Sequence, residues 1–163
     1  MKKKILFMVI NMNVGGKEKA LLTMLSEINN EQYDVTLLML EEYGGFLNQI
    51  PSWVNVKYVK DFKLLKEKIN NPIHINLIQL LKNKKIIQAF NMMYLYLIYK
   101  ITKEKSKFYK FILKDYPVID ENYDVAVAYA GPMDFITYFV ANKIKARKKV
   151  QWVHFDILSL IHI

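Results

Sequence analysis

Cysteine is absent from the 163-residue chain, which rules out disulfides, thiolate nucleophiles and zinc–thiolate centres. That absence fits a reducing cytoplasm. Arginine is reduced to Arg147 against twenty-three lysines. Base readout and bidentate phosphate contacts favour arginine. The net charge of +9 and pI near 9.5 therefore do not point to nucleic acid as a partner. No Asp-x-Asp pair is present to hold a metal–diphosphate. His74 and His162 have no partners at metal-ligand spacing. A Gly-x-Ser-x-Gly elbow is also missing, which leaves hydrolase chemistry without support. The apolar run at 86–99 is too short for a bilayer and is interrupted by Gln88 and Asn91. Lys2, Lys3 and Lys4 precede an apolar run, but no small-residue cleavage pattern follows as in a signal peptide.

The chain is nevertheless rich in core-forming residues: 53% are hydrophobic and the mean hydropathy is +0.05. One domain of this length buries roughly two-thirds of its unfolded surface. The organising stretch is at its start. Residues 5–10 form an unbroken apolar run of strand length, as in a strand buried on both faces of a parallel sheet. Asn11 to Gly16 break that run with turn residues. Leu21, Met24, Leu25 and Ile28 then fall on one face of a helix.

In an open α/β sheet the turn of such a unit lies at the carboxyl edge, where ligands bind. Gly15 and Gly16 are expected to permit positive φ and close backbone approach. The free N–H groups of the helix, with Lys17 and Lys19 nearby, make an anion site there, while Glu18 suits the helix dipole. The alternative is a tight turn that only joins strand to helix. The spacing is not that of a G-x-G-x-x-G dinucleotide fingerprint, and it excludes a P-loop.

Further strands are expected at 33–40, 54–59, 123–130 and 149–155, with a single helical turn at 46–50 before Pro51. Gly131 and Pro132 open a helix that carries Phe135 and Phe139 and runs to a basic end at Lys143, Lys145 and Arg147. Five strands alternating with helices predict a Rossmann-like open parallel sheet with helices on both faces. His154 and Asp156 fall at the carboxyl end of the last strand, on the same rim as Gly15 and Gly16. A lone histidine in that place is structural or functional on equal terms.

Residues 57–115 differ in kind, with fourteen lysines against four acids. The pattern predicts a short helix at 61–69 and one or two helices over 77–114. Phe90, Met93, Tyr94, Leu97, Ile98 and Ile101 make a wide apolar face, and Lys103, Lys105, Lys107 and Lys110 are interleaved with aromatics. Two readings remain open: a basic helix resting on an anionic membrane surface, or a helix packed on the sheet with a solvated lysine face. The tail at 157–163 is apolar and stops without a polar cap, from which truncation is expected.

Four segments in order carry a resemblance. They are Lys4-Ile5-Leu6-Phe7-Met8-Val9-Ile10-Asn11 running into Gly15-Gly16-Lys17-Glu18-Lys19, then Tyr33-Asp34-Val35-Thr36, Tyr123-Asp124-Val125-Ala126, and Val150-Gln151-Trp152-Val153-His154 with Asp156. Together they resemble the amino-terminal half of a family 4 glycosyltransferase of the GT-B fold. The resemblance implies metal-free, retaining transfer of a sugar from a nucleotide-diphospho-sugar to a saccharide or lipid-linked saccharide acceptor. It implies that Gly15 and Gly16 approach the donor diphosphate, that Glu18 opens the helix beside it, and that His154 hydrogen-bonds the donor sugar with Asp156 alongside. The family's carboxyl-terminal donor-binding domain, with two Glu eight positions apart, has no counterpart here. A missing domain or partner chain is therefore expected, and the isolated chain is expected to be inactive. The location implied is cytoplasmic, peripheral on the inner face of the cell membrane. The competing reading is a membrane-associated interaction module that keeps the fold without the chemistry.

Overall fold

The computed structural model describes residues 1–71, 73–102, 105–129 and 135–154. Five strands form one all-parallel sheet in the order β3-β2-β1-β4-β5. They are β1 (Lys3–Val9), β2 (Tyr33–Met39), β3 (Asn55–Tyr58), β4 (Ile119–Ala128) and β5 (Ile144–Gln151). The sequence expectation of a Rossmann-like α/β sheet holds. From β1 the chain moves one way through α1 (Gly16–Glu27) to β2, and from β4 it moves the other way through α6 (Phe135–Lys143) to β5. Right-handed crossovers running in opposite directions put α1 and α6 on opposite faces.

Double coverage explains the apolar runs. Leu6, Phe7, Met8 and Val9 of β1 and residues 35–39 of β2 are all buried. Odd-numbered Phe7, Val9, Val35, Leu37, Met39 and Val127 pack with Leu21 and Leu25 of α1, both fully buried. A buried leucine stabilises by about 1.5–3 kcal/mol relative to an exposed one. Leu6, Met8, Leu38 and Ala126 are equally buried on the even-numbered side. The helix α6 contributes Ile136, Phe139 and Val140 to the core.

Several boundaries differ from expectation, among them that of β4, expected at 123–130 and observed at Ile119–Ala128. The last strand was expected at 149–155, but β5 begins at Ile144, directly after α6, and ends at Gln151. Its sequence, IKARKKVQ, is mostly exposed, and Ile144 is its one buried residue. An edge strand needs a partner on one side only, and its charges deter pairing with other chains. No apolar run marks it, so Lys145 and Arg147 read as a helix end. Residues 77–114 were expected to hold one or two helices. They hold most of α3 (Ile73–Lys82), together with α4 (Ile86–Thr102) and α5 (Ser106–Ile112). Lys84 ends α3 in a left-handed conformation (φ 56°), with its N–H donating to Leu81 and that of Lys85 to Leu80. That position is more commonly glycine, so the break has no sequence signal. The single turn before Pro51 is the 3-10 segment Leu47–Gln49.

The chain divides into two compact units, one of residues 1–60 with 118–163 and the other of residues 61–117. The second contains α2 (Phe62–Asn70), α3, α4 and α5. Its buried apolar residues among those described are Leu65, Ala89, Met92, Tyr109, Ile112 and Leu113.

Candidate functional site

Chain direction reverses at the β1/β4 pair, the topological switch point where open α/β sheets bind ligands. Three segments converge beyond the carboxyl ends of these strands. The first is the β1–α1 loop. Asn11 Oδ1 accepts from the Asn13 N–H at 3.2 Å and Asn13 Oδ1 from the Val14 N–H at 2.9 Å, which folds the loop locally. Met12 is fully buried within it.

The second segment follows β2. The Met12 N–H donates to the Tyr43 carbonyl and the Met12 carbonyl accepts from the Phe46 N–H, both at 3.0 Å. Between those bonds Gly44 has φ 134°, and a Cβ there would lie 2.0 Å from the Met12 carbonyl carbon and oxygen. Only glycine fits this approach.

The helix N-terminus corrects one expectation. Gly15 is the N-cap in extended backbone (φ −163°) and Gly16 is the first helical residue, so neither uses positive φ. Their small size serves two different ends. A Cβ on Gly15 would come within 2.4 Å of Glu18 Oε2, because the Glu18 side chain folds back over it. A Cβ on Gly16 would meet nothing within 4 Å, so open space lies above it. The Glu18 side chain is only 12% exposed, and its carboxylate lies 3.8 Å from Lys17 Nζ. A carboxylate in the first turn already favours the positive helix end.

The third segment follows β5. The Trp152 N–H donates to the Ala128 carbonyl at 3.0 Å and the Tyr129 N–H to Met8 at 2.9 Å, which extends the pairing past the strands. The His154 ring stands edge-on to Tyr129, with centroids 4.4 Å apart and planes at 74°. Tyr129 in turn meets Trp152 at 5.5 Å and Phe7 at 6.3 Å. His154 Nε2 is buried with no hydrogen-bond partner among the described residues. Burial first, and then the Lys17 charge, push the His154 pKa below its ordinary value, against an opposing pull from Glu18. Burial and the Glu18 charge raise the pKa of Tyr129.

No protein-family model, curated protein or solved structure matches the chain. Chemical interpretation therefore rests on the geometry.

Gly15, Glu18 and His154 are brought to one rim, and Gly16 borders open space beside them. Asp156 and Lys103 lie outside the described residues, as do Gly131 and Pro132. Lys105, Lys107 and Lys110 are exposed in the helical unit. Lys105 there lines a cavity of about 250 Å³ with Tyr96, Tyr99, Phe108 and Tyr109. Sequence reasoning missed Tyr129, Trp152 and Gly44. Their only signals were a second Gly-Gly after β2 and aromatic residues near two strand ends. Among the described residues no group of three His, Asp or Glu side chains is placed to hold a metal ion. The rim offers an imidazole whose charged form burial disfavours, the Lys17 ammonium, the Glu18 carboxylate and the N-terminus of α1.

Proposed function

We propose that this rim is the amino-terminal side of a retaining sugar-transfer site. Its substrates would be a nucleotide-diphospho-sugar and a saccharide or lipid-linked saccharide acceptor. The observation that carries the reading is the convergence of His154 with Lys17 and Glu18 at the β1/β4 switch point. The donor diphosphate approaches over Gly16, where space is open, and Lys17 offsets its charge. His154, held neutral, hydrogen-bonds a donor-sugar hydroxyl through Nε2 instead of acting as a base. Asp156 follows two residues later in the sequence and belongs to the same proposal. A donor-binding domain or partner chain supplies the nucleoside pocket, so the 163-residue chain alone transfers no sugar.

Backbone amide NMR with a panel of nucleotide-diphospho-sugars tests this. The expected result is weak binding, with shifts centred on Gly15, Gly16, Lys17 and His154 and no product. Shifts elsewhere only would remove the site, and sugar transfer by the isolated chain would remove the need for a second domain.

One observation favours a second reading. The Glu18 carboxylate folded over Gly15 fills part of the anion-binding position itself. A module that kept the fold without the chemistry would show no shifts at the rim with any donor.

A further inference from the structure

The helix α4 is apolar nearly all round, yet only one side of it is buried. Ala89 and Met92 are covered, whereas Ile86, Ile87, Phe90, Met93, Tyr94, Leu97 and Ile101 are between 48% and 85% exposed. At 100° per residue those seven side chains fall within a sector of about 120°. Their alignment gives a continuous outer stripe instead of scattered surface residues. Across residues 61–117, the large apolar side chains left exposed outnumber the apolar residues buried, an arrangement that marks an interaction surface.

The charge around the stripe says what covers it. No acid occurs in α4. Exposed Lys82, Lys84 and Lys85 precede it, Lys100 flanks the stripe, and exposed Lys105, Lys107, Lys110 and Lys114 follow. Residues 61–117 contain twelve lysines and four acids. Lys84 and Lys85 stand directly before the positive end of the α4 dipole, an unfavourable placement unless an anion lies near. A second copy of this surface would set like charge against like. An aqueous protein partner with acids alone would leave the stripe wet. An anionic bilayer satisfies both features, its acyl boundary taking the stripe and its headgroups the lysines. At about 25 Å the helix is shorter than the roughly 30 Å hydrocarbon core, and no helix among the described residues is long and apolar enough to cross a membrane.

We infer that α4 is a membrane-surface anchor, lying in the plane of an anionic bilayer with Ile87, Phe90, Met93, Leu97 and Ile101 in the headgroup–acyl boundary. This stands independently of the sugar-transfer reading. The test is flotation of the full chain with vesicles of phosphatidylcholine, with and without one-third phosphatidylglycerol. Binding is expected to the anionic vesicles only and to fall steeply with added salt. Phe90→Ser with Leu97→Ser alters exposed positions and so spares the fold, which melting checks; it is expected to weaken partitioning about a hundredfold. Lys82→Gln, Lys84→Gln and Lys85→Gln together are expected to weaken it about fivefold per lysine. Phe90→Trp is expected to give a blue-shifted fluorescence on anionic vesicles alone. Equal binding to both vesicle types would overturn the inference. So would no binding to either, or a concentration-dependent dimer abolished by the Phe90/Leu97 changes.

Discussion

Gly44 lies against the backbone of Met12 so closely that an added Cβ would fall 2.0 Å from the Met12 carbonyl. The loop after β2 is thereby clamped to the β1–α1 loop by two backbone hydrogen bonds around Met12. The rim thus depends on a glycine that belongs to neither the Gly15–Gly16 turn nor the His154 segment.

Gly44→Ala is expected to destabilise the chain by about 3 kcal/mol, since both the contact and φ 134° oppose a side chain. Denaturant unfolding measures it. A change under 0.5 kcal/mol would show that the two loops are not locked together.

Gly16 and Gly15 separate ligand space from scaffold. A Cβ on Gly16 would meet nothing within 4 Å and valine is no worse a helix former than glycine, so Gly16→Val should change stability by less than about 1 kcal/mol. Any loss of nucleotide-diphospho-sugar binding by that variant then reports on the space above the turn. Gly15→Ala instead pushes the Glu18 carboxylate aside, and is expected to disturb the Glu18 and His154 resonances without unfolding the chain. Unchanged binding by Gly16→Val would show that no donor approaches there.

His154 predicts a pH signature. Its folded pKa lies below the unfolded value of 6.5, so the unfolded chain binds more protons between the two. Its contribution is fully present above pH 6.5 and is lost as pH falls through the folded pKa. His154→Asn should flatten the stability curve in that window. An increase in wild-type stability on acidification there, absent in the variant, would mean that the ring is held protonated.

Glu121 predicts the companion effect toward the amino edge of the sheet. Its Oε2 accepts from Lys57 Nζ at 2.5 Å and from the Tyr123 hydroxyl at 2.7 Å, and Lys4 Nζ lies 3.6 Å from Oε1. The hydrogen bond from Lys57 leads the causes that lower the Glu121 pKa. The stabilisation is present above pH 4.5 and is lost as pH falls through the folded pKa. Glu121→Gln should cost about 1 kcal/mol at pH 7, solvent screening included, and progressively less at an acid pH below 4.5. Thermal melting at both pH values decides. An equal cost at both would assign the loss to packing and not to charge.

Several features were legible in the chain because their physical causes are local. Strands β1, β2 and β4 sit inside a doubly covered sheet, and burial on both faces leaves runs such as Ile5 to Val9 with no polar interruption. The 3.6-residue spacing of Leu21, Leu25 and Ile28 marked α1, and Pro51 ended the turn before it. Asp124, within β4, accepts from the Lys4 N–H at 2.9 Å, a bond across 120 residues that sequence position alone does not specify. Strand β5 was placed too late because an edge strand meets no demand for apolar residues. The turn at Lys84 lacked the glycine that would have announced it.

The site divides in the same way. Composition and turn chemistry singled out Gly15, Gly16, Glu18 and His154 one at a time. Whether they meet depends on strand order, which is settled by how β1, β4 and β5 pair and by the opposite directions of the two crossovers. That order sets the His154 ring against Tyr129, buries its Nε2 and brings the charges of Lys17 and Glu18 to bear on it. The same contrast holds in α4, whose apolar residues were evident from composition. Only packing decided which of them found partners and which were left as an exposed stripe, because helical periodicity fixes the faces of a helix but not what covers them.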